Sequence, residues 1–144
     1  MPDHAVARRR LSHTPNGRPT ARPQVTLHPS TATIHAAIVA AALVATADGH
    51  VAPRERRSLL RLLRHHGVLA RWGRSAPMAL FDEAVRDTPD AAPLFAAVVG
   101  SPCADLVTQA ATHVALADGV TWPQEIAIID SIRDRLRTPA EPAR

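Results

Sequence analysis

The chain has no lysine, no tyrosine and a single cysteine among its 144 residues. Cys103 alone cannot form an intrachain bridge, so no disulfide framework holds this fold, which suits a reducing compartment. All basic residues are arginine, and Ala and Pro are abundant, a bias that reflects GC-rich coding more than function. No Gly-rich phosphate loop, Gly-x-Ser-x-Gly elbow or Cys-x-x-Cys pair occurs, which removes the usual signatures of nucleotide, acyl-transfer and thiol redox chemistry. Nor is there an apolar run of the roughly twenty residues needed to span a membrane. The run from Ile34 to Ala47 follows arginines and ends in Ala45-Thr46-Ala47, as a signal peptide would. The preceding basic region, however, is about thirty residues, too long for that class, and a similar run recurs in mid-chain from Ala104 to Ala117. The expectation is a cytoplasmic protein.

The net charge is +4, but it is unevenly distributed. Residues 1 to 30 carry five arginines against Asp3, whereas residues 31 to 144 carry twelve arginines against twelve acids. The basic pI thus describes a tail and not a nucleic-acid-binding domain. Residues 1–29, with Arg8-Arg9-Arg10 and no helical or strand period, read as a disordered basic arm. Residues 30–138 read as one helical domain, and 139–144 as a frayed tail. A helical core of about 105 residues can bury about two thirds of its unfolded surface and fold alone.

What organises the chain is a repeat. The stretch Ala40 to Glu55 returns seventy residues later, without a gap, as Ala110 to Glu125, with nine of sixteen positions identical. The skeleton Ala-Asp-Gly-x-x-x-Pro-x-Glu is complete in both copies: Ala47, Asp48, Gly49, Pro53 and Glu55, then Ala117, Asp118, Gly119, Pro123 and Glu125. An alanine-rich apolar run makes a buried helix, Gly after Asp ends it in the left-handed conformation, and Pro opens the next helix at its first position. The predicted fold is all-α, a multi-helix bundle of two pseudo-repeated helix-loop-helix units.

The doubled skeleton resembles the TerB-like proteins, the tellurite-resistance family of small all-helical bacterial domains, over roughly Thr33 to Arg137. The resemblance implies a compact helical fold, acidic residues that bind divalent cations, and a role in tellurite resistance and related stress without a known enzymatic reaction. Its residue-by-residue carry-over gives Asp48, Glu55, Asp118 and Glu125 as metal ligands. It also implies other stress-response or tellurite-resistance proteins as partners. His50 and Arg54 stand where the family often has further acids, which implies a weaker cation site.

Taken on their own, the four carboxylates have a second explanation. Asp before Gly suits a helix-ending turn, and a Glu at the third helical position favours the positive end of the helix dipole and completes a cap. If they do bind a cation, hard oxygen donors point to calcium or magnesium, with weak calcium binding expected. The loops are not EF-hands, since each has one Asp and a Glu seven residues on. Zinc through His50 or His113 with the Asp residues is another arrangement, and His65-His66 suit a helix C-terminus.

Along the chain, the first helix is expected after Pro29, capped by Ser30 or Thr31, ending at Asp48-Gly49. The second runs from Pro53 to about His66, with Leu59, Leu60, Leu62 and Leu63 inward and an arginine stripe of Arg54, Arg57, Arg61 and Arg64 on another side. A linker with a short helical turn follows Gly67. Ser75 is expected to cap a third helix to Asp87, with Leu80, Phe81 and Val85 inward, and Asp90 to cap a fourth through Val99. Ser101-Pro102 opens a fifth, with Cys103 as a small core residue, and Pro123 a sixth to Arg137 with Ile126, Ile129, Ile132 and Leu136 along one face. Three functions remain open: a cation-binding, non-enzymatic domain; an anion- or nucleic-acid-binding module using the arm and the stripe; and an enzyme with a metal-bound water.

Overall fold

The first helix becomes the centre of the molecule because it has no polar side. In the computed structural model, which describes residues 27–138, α1 spans Thr31–Ala45 and buries Ile34, the run Ala36 to Ala42, Val44 and Ala45. A helix that is apolar all round must be enclosed, and its alanines let neighbours approach closely. It packs most extensively against α6 (Asp105–Ala115) and then α4 (Ser75–Asp87), with α5 (Ala92–Val98) and α7 (Pro123–Arg137) also against it. The remaining helices are α2 (Pro53–His65) and α3 (Val68–Trp72), and no strand occurs among the described residues.

The start of α1 is fixed by Ser30, whose Oγ accepts the Thr33 N–H at 3.1 Å and lies 2.9 Å from Thr33 Oγ1. Its end comes at Ala45, with Asp48 still in the turn that follows. The expectations for residues up to 26 and from 139 onward lie outside the described residues. Residues 27–29 are described, without helix: Pro29 is buried and the Leu27 carbonyl accepts the Cys103 thiol at 3.7 Å.

Several expectations are corrected. Ser75 is the first residue of α4 and not its cap; Arg74 precedes it in a helical conformation, and α4 has no side-chain cap. The inward side of α4 is as expected at Phe81, which is buried together with Pro77 and Ala84, while Leu80 and Val85 pack against the core half-buried. Ser101-Pro102 does not open α6: turns occupy 102–104 and the helix begins at Asp105. Cys103 consequently stands in that turn, half-buried, and not in the core. Asp90 does act at the start of α5, accepting the Ala92 N–H at 3.1 Å.

Ile126 is also corrected, from core to surface, at 46% exposure. The reason is angular. At 3.6 residues per turn, Ile126 lies about 120° from Ile132, whereas Glu125 lies within about 20° of it and about 40° of Ile129. The inward stripe of α7 is therefore Glu125, Ile128, Ile129, Ile132 and Leu136, with Glu125, Ile129 and Ile132 buried. In α2 the corresponding stripe is Glu55, Leu59, Leu62 and Leu63. Each helix enters the core with a glutamate as its first inward residue.

Candidate cation site at the paired loops

α1 and α2, though joined by an Asp-Gly loop, do not pack mainly on each other. α2 rests more on α6 than on α1, and two side-chain bonds fix its direction. Ser58 Oγ donates to the His113 carbonyl at 2.8 Å, and farther along His66 Nε2 lies 3.2 Å from Gln109 Oε1. Advancing on α2 thus means going back along α6, so the two run antiparallel. The N-terminus of α2 comes beside the C-terminus of α6, and the loop at 46–52 beside the loop at 116–122.

The two loops match in the bonds of their glycines and acids. Gly49 has φ +80° and Gly119 φ +79°, the left-handed region that Asp-Gly signals. Their N–H groups donate to the carbonyls of Thr46 at 3.0 Å and Leu116 at 3.1 Å. Asp48 Oδ1 accepts the His50 N–H at 2.9 Å, and Asp118 Oδ1 accepts the Val120 N–H at 3.0 Å. Glu55 Oε2 accepts the Ala52 N–H at 2.6 Å while the Glu55 N–H donates to the Ala52 carbonyl at 3.1 Å. In the other copy Glu125 Oε2 accepts the Trp122 N–H at 2.8 Å, and the Glu125 N–H donates to the Trp122 carbonyl at 3.0 Å. The turn-and-cap roles read from the sequence are therefore all filled.

The environment of the acids differs from that of ordinary caps. Glu55 and Glu125 are buried, 7% and 4% exposed, while Asp48 and Asp118 stand in solvent. Burial pushes the Glu55 carboxyl above its ordinary value, the Ala52 N–H pulls it back, and the charges of Asp48, Glu125 and Asp118 push it up further. The other three acids thus share one end of the bundle with Glu55, closely enough to act on it. They are not drawn into a compact ligand set: among the described residues no three His, Cys, Asp or Glu side chains gather as a metal site, with or without His50 and His113. In kind, the donors suit a hard divalent cation, since each acid commits one oxygen to a backbone N–H and the other takes no hydrogen bond among the described residues. In spacing, the four would have to move together to share one.

A protein-family model described as tellurite resistance protein TerB matches residues 35–143. The chain belongs to the TerB family. No curated protein matches it, and no solved structure does. The all-helical architecture is that of the family, and the match continues past residue 137 into the tail that the sequence reads as frayed. Among the described residues, no helix of this TerB-family chain is long and apolar enough to cross a membrane.

Two features of this end are not part of the sequence reading. One is the burial of the two glutamates, which the four-residue spacing of Glu55 to Leu59 and of Glu125 to Ile129 signals. The other is a set of exposed apolar side chains around the second loop, namely Leu116, Val120, Trp122 and Ile126. Their counterparts in the first loop are Thr46, His50, Ala52 and Arg56, so the loops match in backbone and acids but not in surface.

Proposed function

We propose that this chain is a non-enzymatic member of the TerB family that acts in tellurite resistance or a related stress response, in the cytoplasm and through partner proteins, and that it binds a divalent cation weakly at Asp48, Glu55, Asp118 and Glu125. The observation that carries this reading is the convergence of two matching acidic loops on one end of the bundle, with Glu55 held above its ordinary value partly by the other three charges. A cation at that end would relieve this repulsion as the four acids draw together around it. Calcium suits the donors better than magnesium, which keeps its waters and demands a tighter octahedron. With one Asp and one Glu per loop, and His50 and Arg54 diluting the acidity, the expected dissociation constant is on the order of 10⁻⁵ to 10⁻³ M.

Calcium titration by thermal denaturation after chelator treatment tests this. A shared site predicts that Asp48→Asn, Glu55→Gln, Asp118→Asn and Glu125→Gln each weaken the response. If calcium leaves the wild type unchanged, or if all four variants respond as the wild type does, the carboxylates are turn and cap residues only.

A further inference from the structure

Arg57, Arg61 and Arg64 follow one another on α2 at steps of four and three residues and so share one side of it. α3 and the residue before α4 bring Leu69 and Arg74 up to that side. With Leu60 they line a groove of about 390 Å³, within the size range of small-molecule sites. Arg54, part of the stripe in sequence, is not among the lining residues, and Arg74, which lies beyond the helix, is.

The usual account of such a stripe is a solvated helix face, where arginines alternate with acids, as Arg133 pairs with Asp130 on α7. That account does not fit here. The sole acid of α2 is Glu55, which is turned into the core. Among the described residues the only other ion pair joins Arg56 to Asp82, so none of the four groove arginines has an acidic partner. Like charges at these spacings oppose helix formation, and a concave surface of one sign concentrates its field. α4, thirteen residues long, opens next to Arg74 without a side-chain cap, so its positive end adds to that field. Leu60 and Leu69, both half-buried, supply apolar surface within the same groove.

We propose that this groove binds a phosphate ester with an apolar body, the phosphate held by Arg57, Arg61, Arg64 and Arg74 and the body lying against Leu60 and Leu69. The guanidinium fork matches phosphate oxygens in pairs, which a lone ammonium cannot do. The site is separate from the acidic end, because it lines the later turns of α2 while the carboxylates stand at or before the first.

The same chemistry is offered by a soluble ester and by a lipid headgroup, and calorimetry on the full chain in low salt distinguishes them. The probes are inorganic phosphate, 1-naphthyl phosphate, and phosphatidylcholine vesicles with or without phosphatidic acid. Naphthyl phosphate is expected to bind more tightly than inorganic phosphate, and Arg61→Gln and Arg74→Gln are each expected to weaken it by about tenfold. Arg86→Gln, the same change of charge on exposed α4 surface outside the groove, is expected to leave it unchanged. Binding of phosphatidic acid vesicles that is lost in the same two variants assigns the phosphate to a lipid headgroup; vesicles that do not bind while naphthyl phosphate does assign it to a soluble ester. The proposal is overturned if neither ester source binds at millimolar phosphate, or if Arg86→Gln weakens binding as much as Arg61→Gln.

Discussion

Glu55 serves two ends that oppose each other, and two substitutions separate them. Its Oε2 accepts the Ala52 N–H at 2.6 Å, which favours the folded state, while its charge is disfavoured by burial and by Asp48, Glu125 and Asp118. Glutamine keeps an acceptor for the cap and removes the charge. Glu55→Gln is therefore expected to be more stable than wild type at neutral pH in chelator, and insensitive to calcium. Glu55→Ala removes the charge too, but it strands the half-buried Ala52 N–H, at about 1 to 3 kcal/mol, and loses a buried methylene worth about 0.8 kcal/mol. The net loss is expected to be about 1 kcal/mol or more, each kcal/mol lowering the midpoint by roughly 3 to 5 °C in a domain of this size.

The pH dependence has a definite sign. A carboxyl whose pKa is raised on folding binds its proton more tightly in the folded than in the unfolded chain, so folding is most favoured, as far as Glu55 is concerned, below its ordinary value of 4.5. Stability from this group falls as pH rises from there through the raised folded value, and the full penalty stands above it. The advantage of Glu55→Gln should consequently be present at pH 7 and shrink toward zero at about pH 4. Urea denaturation in chelator at both pH values measures this. At one hundred times its dissociation constant, calcium should then give the wild type about 2.7 kcal/mol that Glu55→Gln does not gain. A glutamine variant no more stable than wild type at pH 7, or one with the same advantage at both pH values, would refute the electrostatic account of this end.

Gly49→Val and Gly119→Val place a β-branched residue at φ near +80°, and each is expected to cost about 1 to 2 kcal/mol or more in chemical denaturation; an added Cβ meets nothing within 4 Å at either position, so the cost is expected from the backbone conformation. Ser30→Ala removes the acceptor of the Thr33 N–H and should lower stability by about 1 kcal/mol, whereas Thr31→Ala, next to it and exposed, should change little. Removing residues 1–26, which have no apolar periodicity, is expected to leave the thermal midpoint within a few degrees; a drop of many degrees would mean that the arm contributes to folding.

The parts legible in the sequence are those fixed by neighbours along the chain. Asp-Gly followed by Pro gave both loops, because only local backbone geometry decides where a helix ends in a left-handed glycine and where proline can start the next. Leu59, Leu62 and Leu63 mark the inner face of α2 for the same reason, whereas Leu60, expected with them, lies half-buried in the groove on the other side. Sequence and structure part where a single periodic pattern admits two phases. Ile126, Ile129, Ile132 and Leu136 look like one face, yet Glu125, Ile129, Ile132 and Leu136 fit the helical period better, and an expectation that glutamate stays in water hides this. The starts of α4 and α6 differ from those expected because Ser75 and Ser101-Pro102 carry start signals that the chain does not use: Arg74, before Ser75, is already helical, and turns occupy 102–104 before α6 begins.

Whether the acidic loops meet is a different kind of question, because no local rule decides it. It depends on α2 leaving α1 to lie along α6, a choice made by which surfaces are apolar and unfilled. α1 offers apolar surface on all sides and is already enclosed by α4, α5, α6 and α7. The leucine face of α2 therefore finds its cover on α6, with Ser58 and His66 fixing the direction. That one packing choice brings Asp48 and Glu55 beside Asp118 and Glu125, and it leaves the opposite side of α2, with Arg57, Arg61 and Arg64, to be met by α3 and Arg74. The acidic end and the basic groove are thus two consequences of where a single amphipathic helix came to rest, and each can be removed by substitution without disturbing the other.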